Sequence, residues 1–142
     1  RCARDFRLTE SPMPSAPAKP LETFISEIER KHPCGRALVH RYGRRAEDVL
    51  SLAGEDLDLL REVVPGSGVI WAEALYTIRS EMVRLPMDFL RRRTHLSLIQ
   101  TTDPAILARI SGMIQQELGL DTMKTDADRT HARDEWARHH TF

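Results

Sequence analysis

The sequence has 142 residues, enough for one domain that buries roughly two-thirds of the surface of its unfolded chain. Lysine plus arginine and aspartate plus glutamate both number 21, so the formal net charge is zero. This balance argues against a dedicated nucleic-acid binder, which usually carries an excess of basic residues. A hydrophobic fraction of 41% beside 30% charged residues is typical of a globular domain.

Several other classes of protein are excluded by features that the sequence lacks. Cys2 and Cys34 form neither a metal-binding spacing nor a disulfide framework. No apolar run approaches the roughly 20 residues of a membrane span, and no signal-peptide pattern opens the chain. We therefore expect a cytoplasmic protein. Because the sequence begins with Arg1 in an ordinary polar stretch, we interpret it as a fragment of a longer polypeptide.

The N-terminal 20 residues are predicted to form a linker. Four prolines occur among the nine residues from position 12 to position 20. Proline removes a backbone donor and breaks a helix interior, so this stretch is expected to be extended. We place a domain boundary here, with residues 1–20 as the tail of a preceding part and residues 21–142 as a helical domain.

The first half of that domain follows a helical pattern. Apolar residues recur at steps of three and four just after Pro20, which suits the first position of a helix. These residues are Leu21, Phe24, Ile25 and Ile28. The helix is expected to end at His32, because Pro33 disfavours the α conformation in the residue before it.

Two short helices are predicted next, ending at Gly43 and Gly54, because glycine is common just past a helix end. A further turn is expected from the spacing of Leu57, Leu60 and Val64. The glycines and proline of residues 65–68 then predict a loop.

Residues 70–84 are predicted to form the central helix. Their apolar residues cover a wide arc of the helical wheel, which indicates packing on two sides. The arc contains Trp71, Ala72, Leu75, Tyr76, Ile78, Met82 and Val83. Pro86 ends this run, and a helix is expected to restart at Met87. Residues 95–99 alternate between polar and apolar, so both a strand and a helix remain open there.

The last strong helix is predicted to start at Asp103 as cap with Pro104 in the first position, and to stop at Gly119. Residues 125–140 predict a weak helix that needs a docking surface, since Trp136 is its only large apolar residue. The fold class is therefore all-α: a single small bundle-like domain of about five or six helices with a proline-rich N-terminal linker.

Two arginines fall on predicted apolar faces. Helical spacing places Arg79 within the central arc and Arg93 beside apolar residues of the next helix. An unpaired buried charge costs several kcal/mol, so each guanidinium needs a partner. The nearby carboxylates are Glu73, Glu81 and Asp88. We predict an arginine–glutamate network that fixes the crossing of residues 70–84 and 87–99.

The role of these arginines stays open at this point. A purely structural ion pair, or an arginine that extends to solvent, is the favoured interpretation. An inter-domain contact and direct binding of a phosphate or another ligand are the alternatives. Each is compatible with the spacing.

Two basic clusters suggest contacts with nucleic acid or with an anionic membrane surface. The clusters consist of Arg41, Arg44 and Arg45, and of Arg91, Arg92 and Arg93. Acidic residues interleave with both clusters, which favours a solvated helix face.

No residue of this sequence is predicted to be catalytic, to bind a cofactor or to bind a metal. None of the six histidines pairs with another at helical spacing beside a glutamate, as a helical zinc site requires. Cys34 lies in no recognisable nucleophile turn. The glycines of residues 65–68 lack the spacing and the preceding strand of a phosphate-binding loop.

The stretch from Trp71 to Leu96 resembles the C-terminal helical domain of FAD-dependent glycerol-3-phosphate dehydrogenases and oxidases. The family pattern is Ala-Glu-x-x-Tyr, a short spacer, Glu, then Asp-x-x-Leu and Arg-Arg-Thr. It is matched by Ala72, Glu73, Tyr76, Glu81, Asp88, Arg92, Arg93 and Thr94, and its leucine corresponds to Leu90, one position earlier than the spacing Asp-x-x-Leu requires. With Arg79, the charged and polar members are our candidates for structural or inter-domain roles. The looser resemblance covers residues 36–120.

The resemblance implies a parent enzyme that oxidises sn-glycerol 3-phosphate to dihydroxyacetone phosphate and passes electrons through FAD to a quinone or oxygen. The FAD site of that family lies on an N-terminal Rossmann-type domain, whose glycine-rich motif is absent from this sequence. This fragment is therefore expected to be inactive alone and to pack on the catalytic part.

The implied partners are the N-terminal FAD and substrate domain of the same polypeptide, with a second copy and the inner face of the cell membrane as further candidates. No nucleic acid is expected. The alternative is an independent helical interaction module that binds nucleic acid through the two basic clusters.

Overall fold

A computed structural model describes residues 20–98 and 103–119, together with residues 130 and 134. The linker predicted at residues 1–20 and the weak helix predicted at 125–140 lie almost wholly outside the described residues. Within them the chain forms five α-helices. They are α1 (Leu21–Lys31), α2 (Gly35–Tyr42), α3 (Ala46–Ala53), α4 (Trp71–Ser80) and α5 (Pro104–Leu118).

Shorter helical pieces join these five helices. A 3-10 turn covers Gly43–Arg45, a π-helix covers Asp88–Arg93, and a second 3-10 turn covers Leu96–Leu98. The one strand-like feature of the described residues is an isolated antiparallel bridge between Glu62 and Ile70. The prediction of an all-α domain with about five or six helices is confirmed.

Helices α1 and α2 form a tight hairpin. Helix α1 ends at Lys31, as Pro33 predicted, and the amide of His32 donates to the carbonyl of Ile28. A Cβ atom at Gly35 would lie only 2.6 Å from the carbonyl carbon of Ile28 and from the amide nitrogen of Glu29. The two helices therefore approach so closely that glycine is required at the start of α2.

Helix α4 is the centre of the domain, because every residue from Trp71 to Ile78 is buried. One side of it packs with α1, α2 and α3 through Ala72 and Tyr76. The other side packs with α5 and the π-helix through Trp71, Ala74 and Ile78. The predicted packing of this helix on two sides is confirmed.

The predicted C-terminal end of this helix was wrong. Helix α4 stops at Ser80 instead of residue 84, because the amides of Glu81 and Val83 both donate to the carbonyl of Thr77 (3.0 and 3.3 Å). This turn places Met82 in the left-handed region, at φ 59°. The apolar side chain of Met82 had suggested a buried position on the helix, but Met82 is 75% exposed.

The chain after Pro86 is helical but irregular. Its first helical residues, 86 and 87, lead into the π-helix Asp88–Arg93, so the predicted restart holds within one residue. The carboxylate of Asp88 accepts the amides of Arg84 and Leu85 at 3.2 and 3.0 Å. Residues 95–99 had been left open between strand and helix, and the described part of them contains the 3-10 turn Leu96–Leu98. This part is therefore helical.

Helix α5 begins and ends as the sequence predicts. The side chain of Asp103 accepts the amide of Ala105 at 2.8 Å, Pro104 occupies the first turn, and Gly119 takes a left-handed conformation at the end. Among the helices of the described segments, none has the length and apolar character needed to cross a membrane.

Candidate functional site

Glu73 is the centre of a buried polar cluster. Its side chain is fully buried in the first turn of α4, where the positive end of the helix favours a carboxylate. Arg41 of α2 donates from Nε and Nη2 to the two carboxylate oxygens, each at 2.8 Å. The amide of Ile70 donates to Oε1 at 2.9 Å. This fork geometry satisfies a charge that would otherwise be costly to bury.

The same arginine holds the loop before α4. Nη2 of Arg41 also donates to the carbonyl of Gly68, so one guanidinium joins α2, the loop and α4. Arg41 was expected to belong to a solvated basic cluster, and that expectation was wrong. Its spacing three residues after Leu38 and one before Tyr42, both buried, is the sequence signal that could have revealed this.

Two tyrosines complete the cluster. The rings of Tyr42 and Tyr76 meet edge to face, with their centroids 5.5 Å apart. Burial, and next the charge of Glu73 and its hydrogen bond, raise the pKa of the Tyr42 phenol far above its ordinary value. Tyr42 therefore remains neutral and acts as a hydrogen-bonding member of the core.

Arg79 joins α4 to α5. Its Nε and Nη2 atoms donate to the carboxylate of Glu117 at 2.6 and 2.8 Å. The side chain is 46% exposed, so the prediction that Arg79 lies on a buried face was wrong. Its partner is also different from the three predicted carboxylates. Arg79 extends from the edge of the apolar arc to solvent and lowers the pKa of Glu117 mainly through its hydrogen bond.

Arg93 carries the part of the predicted network that does form. Its Nη1 lies 3.1 Å from a carboxylate oxygen of Glu81, and its Nη2 donates to the Glu81 carbonyl at 3.0 Å. These bonds connect the end of α4 to the end of the π-helix, as the crossing hypothesis required. The side chain is 44% exposed, however, so Arg93 is not on a buried face either.

The remaining residues of the family pattern stabilise the π-helix itself. Arg92 pairs with Asp88 one turn earlier at 2.9 Å, with 77% of the arginine side chain exposed. The hydroxyl of Thr94 donates to the carbonyls of Phe89 and Leu90, and the Thr94 amide donates to Phe89 as well. These contacts end the helix and satisfy its last carbonyl groups.

The glycine loop at residues 65–68 binds a carboxylate of its own chain. The amides of Gly66 and Gly68 donate to the two oxygens of Glu62 at 2.6 and 2.8 Å. The pKa of Glu62 lies below its usual value, chiefly because the Gly66 amide donates a hydrogen bond to its carboxylate. The thiol of Cys34 lies 3.5 Å from the same carboxylate, and burial together with this contact raises its pKa to about 11.

This loop does not fit a dinucleotide cofactor. A phosphate-binding loop needs free amides between a strand and a helix, whereas here the amides of Gly66 and Gly68 are committed to Glu62. Within the segments that the structure describes, histidine, cysteine and acidic side chains also form no group of three that could hold a metal ion.

A second arginine contact was missed by the sequence analysis. Arg109 of α5 lies over the ring of Trp71, with its Cζ atom 4.1 Å from the ring centroid, and pairs with Asp58 at 2.5 Å. The stack ties α5 to the start of α4, and the pair with Asp58 ties α5 to the segment before α4. Asp58 and Arg109 are 51 residues apart, so no local spacing could have predicted the pair.

The two basic clusters do not form free cationic patches. Of the first, Arg41 is committed to Glu73, and only Arg44 and Arg45 are exposed. Of the second, Arg92 and Arg93 bind Asp88 and Glu81. The predicted site residues therefore form ion pairs and caps that join helices. Across the described residues they bring together no nucleophile with a general base.

Comparison with known proteins identifies the family. A family model described as the C-terminal domain of alpha-glycerophosphate oxidase matches residues 18–125. A relative, a glycerol-3-phosphate dehydrogenase from Synechocystis, is 30% identical over 94 residues, which are 62% of this chain and 17% of the relative. No solved structure gives a match. The family match covers more than half of the chain, and the chain belongs to this family, as the resemblance implied.

Proposed function

We propose that this member of the alpha-glycerophosphate oxidase C-terminal domain family is the accessory domain of an enzyme that oxidises sn-glycerol 3-phosphate to dihydroxyacetone phosphate. The match over residues 18–125 is the observation that carries the proposal. The aligned part is 17% of the dehydrogenase from Synechocystis, so most of that relative lies outside the region compared. We assign the reaction to the part of the full-length polypeptide outside this domain.

The proposed reaction transfers a hydride from the substrate to FAD and delivers the electrons to a quinone or to oxygen. We place the FAD on the remainder of the polypeptide, because the glycine loop of this domain is committed to Glu62. No residue of this chain is given a catalytic role. The domain contributes rigidity and a docking surface.

The arginine–carboxylate pairs support that role. The pairs of Arg41, Arg79 and Arg93 each join two different elements of the fold. The two exposed pairs, those of Arg79 and Arg93, fix the orientation of helices more than they add stability, since exposed ion pairs contribute only a few tenths of a kcal/mol. A domain built in this way presents its surface in one geometry, as an accessory domain requires.

The proposal extends to the setting of the parent enzyme. We place it in the cytoplasm, peripherally bound at the inner face of the cell membrane, with a homo-oligomer as a further expectation. Membrane fractionation in low and high salt tests the first point, because peripheral binding through charges weakens as salt screens them. Sedimentation of the full-length protein tests the second.

The central experiment measures the full-length polypeptide that carries this domain. We expect flavin absorbance and reduction of an artificial electron acceptor that depends on glycerol 3-phosphate, and neither property in the 142-residue chain alone. Introducing Glu73→Gln should shorten the half-life of the parent activity on heating without changing KM. Lys31→Met, which removes only an exposed pair with Glu47, is the matched control. A full-length protein that leaves glycerol 3-phosphate unoxidised would refute the proposal.

A further inference from the structure

A cavity of about 600 Å³ opens between the start of α2 and the glycine loop at residues 65–68. Cys34 and Ala37 line it on the side of α2, and Glu62, Gly66 and Gly68 line it on the side of the loop. We call it the Glu62 cavity. Most of its wall is apolar. Binding sites for small molecules have volumes of roughly 300–1,000 Å³ and apolar walls with a few polar groups, so the Glu62 cavity has the size and composition of such a site.

The carboxylate of Glu62 is fixed at the wall of this cavity. The amide of Gly66 donates to one of its oxygens at 2.6 Å, and the amide of Gly68 donates to the other at 2.8 Å. Both glycines have positive φ, at 80° and 66°, a conformation that residues with a side chain rarely adopt. The loop therefore holds the carboxylate in one orientation before a ligand arrives, which lowers the entropy cost of binding.

Glu62 is ionised but pairs with no arginine or lysine in the part of the chain that the structure describes. By contrast, five other carboxylates that are buried or half-buried each pair with an arginine. They are Glu29, Glu73, Glu81, Asp88 and Glu117. The pKa of Glu62 lies below 4.5, so its negative charge is present at neutral pH. His32 is among the groups that lower this pKa, but it contributes least. The charge of Glu62 is therefore available to a cation.

One hydrogen-bonding position of the Glu62 carboxylate remains for a ligand. An ionised carboxylate accepts about four hydrogen bonds. Glu62 accepts bonds from the amides of Gly66 and Gly68 and from the thiol of Cys34, whose Sγ atom lies 3.5 Å from Oε1. A primary ammonium group is a compact charge that can use a single position, whereas the planar fork of a guanidinium binds a carboxylate through two.

The other charged groups of the cavity neutralise each other. Arg36 donates from Nε to a carboxylate oxygen of Glu29 at 3.0 Å, and both residues line the cavity. With histidine counted as neutral, Glu29, Arg36 and Glu62 give the lining a net charge of −1. The fixed carboxylate therefore repels an anionic ligand and attracts a cationic one. Pro33 and Ala37 supply apolar surface on which a short carbon chain can pack.

We propose that the Glu62 cavity is a binding site for a small primary amine, whose ammonium group binds the Glu62 carboxylate and whose carbon chain packs on Pro33 and Ala37. The proposal rests on the cavity and its charge, and it is independent of the reaction of the parent enzyme. Failure of the proposed function would leave it standing, and its failure would leave the proposed function standing.

Butylammonium is the probe that tests the site, and saturation-transfer NMR measures its weak binding to the full-length polypeptide. 1-Butanol and butanoate are the matched ligands, because they keep the carbon chain and replace the positive charge by no charge and by a negative charge. We expect butylammonium to bind at least about tenfold more tightly than either of them at pH 7. Equal dissociation constants for butylammonium and 1-butanol would overturn the proposal.

Two variants locate the binding. Glu62→Gln should weaken the binding of butylammonium about tenfold, because the amide keeps the shape but not the charge. Glu47→Gln removes an exposed carboxylate outside the cavity and should leave the binding unchanged. Ala37→Leu keeps Glu62 and the helix but fills part of the cavity, and it should also weaken the binding about tenfold. Binding that is unchanged in Ala37→Leu, or in folded Glu62→Gln, would overturn the proposal.

A side chain of the polypeptide is the competing source of the ammonium group. Treatment of the full-length protein with a carbodiimide joins a carboxylate to an amine in direct contact, and peptide mass spectrometry identifies the two residues. We expect Glu62 to couple to added butylammonium. A crosslink between Glu62 and a lysine of the same polypeptide would show that a side chain occupies the cavity, and would overturn the proposal.

Discussion

The guanidinium of Arg41 binds both carboxylate oxygens of Glu73, each at 2.8 Å, across 32 residues of sequence. Glu73 is fully buried, and 21% of the Arg41 side chain is exposed. The pair joins α2 to the first turn of α4, and Arg41 also binds the carbonyl of Gly68. This contact therefore joins the α1–α2 hairpin to the central helix, beside the apolar packing through Ala72 and Tyr76.

Glu73→Gln is expected to destabilise the domain by about 3 kcal/mol, since breaking a buried pair leaves an uncompensated charge. The glutamine oxygen can still accept the Ile70 amide, but it cannot accept both bonds from Arg41 with full charge. Equilibrium unfolding in urea measures the change. Lys31→Met, at an exposed pair, should shift stability by no more than about 0.5 kcal/mol. Equal midpoints for the two variants would show that the pair has no special role.

The sequence predicted the boundaries of the helices better than the partners of the ion pairs. Helix starts and stops were readable because proline, aspartate and glycine act locally, as at Pro33, Asp103 and Gly119. Ion pairs were harder to assign, because Arg41 and Arg79 reach carboxylates 32 and 38 residues away. Of the two arginines assigned to apolar faces, Arg79 and Arg93, only Arg93 binds one of the three candidate carboxylates, Glu81, which is 12 residues away. Short-range spacing cannot identify contacts that depend on how helices are arranged.

The end of α4 shows why apolar periodicity overextends a helix. Met82 and Val83 both continue the helical pattern, yet only Val83 is buried. The helix has already ended at Ser80, and the left-handed conformation of Met82 is followed by Val83 in the core. The helical spacing of these two residues therefore does not report their true positions. The resemblance to a family located the site residues, but it could not say that Glu73 would be buried and Arg92 exposed.

The stability of the domain is expected to fall in acid partly through Glu62. Its folded pKa lies below the ordinary value of 4.5, mainly because the Gly66 amide donates to the carboxylate. The contribution of Glu62 is therefore fully present above pH 4.5 and is lost as the pH falls through the lower folded pKa.

Comparison with Glu62→Gln isolates this contribution. The variant should be less stable than the wild type by about 1–2 kcal/mol at pH 7, and the difference should shrink below pH 4.5. Urea unfolding between pH 7 and pH 3 provides the measurement. Glu47→Gln, at an exposed pair, is the control. A difference that stays constant over this range would contradict the assignment.

Cys34 is expected to be an unreactive thiol. Burial, followed by its hydrogen bond to Glu62, raises its pKa to about 11 from an ordinary value of 9.0. A shift of two units leaves roughly a hundredfold less thiolate at pH 8 than in an ordinary cysteine, and the thiolate is the reactive species.

Alkylation followed by peptide mass spectrometry measures this property. Cys34 should react with iodoacetamide at pH 8 roughly a hundredfold more slowly in the native protein than in urea. Glu62→Gln should accelerate the native reaction severalfold, because it removes the negative charge but leaves the burial unchanged. A native rate equal to the rate in urea would show that the thiol is neither buried nor bonded.

Met82→Gly is expected to stabilise the isolated domain by about 0.5–1 kcal/mol. The left-handed conformation costs a residue with a side chain about 1–2 kcal/mol, and glycine recovers this less its own loss of backbone freedom. Met82→Ala should change little, because alanine keeps the strain and the methionine side chain is mostly exposed. Thermal unfolding of both variants provides the measurement. A destabilised glycine variant would mean that the Met82 side chain packs within the domain.

Two glycines in helices should respond to alanine with opposite signs. At Gly35 the added Cβ atom meets the backbone of Ile28 and Glu29 at 2.6 Å, and backbone cannot move aside without separating α1 from α2. At Gly112, an exposed position within α5, the Cβ atom meets nothing within 4 Å. Gly35→Ala should therefore destabilise the domain by about 2 kcal/mol through overpacking.

Gly112→Ala should stabilise the domain by about 0.5–1 kcal/mol, since alanine is the better helix former. Urea unfolding of the two variants on one chain separates steric contact from helix propensity. If both substitutions stabilised the domain, α1 and α2 would have to lie farther apart than the geometry at Gly35 allows. If both destabilised it, a Cβ atom at Gly112 would have to meet a part of the polypeptide that the structure does not describe. Alanine is otherwise favourable at an exposed position within a helix.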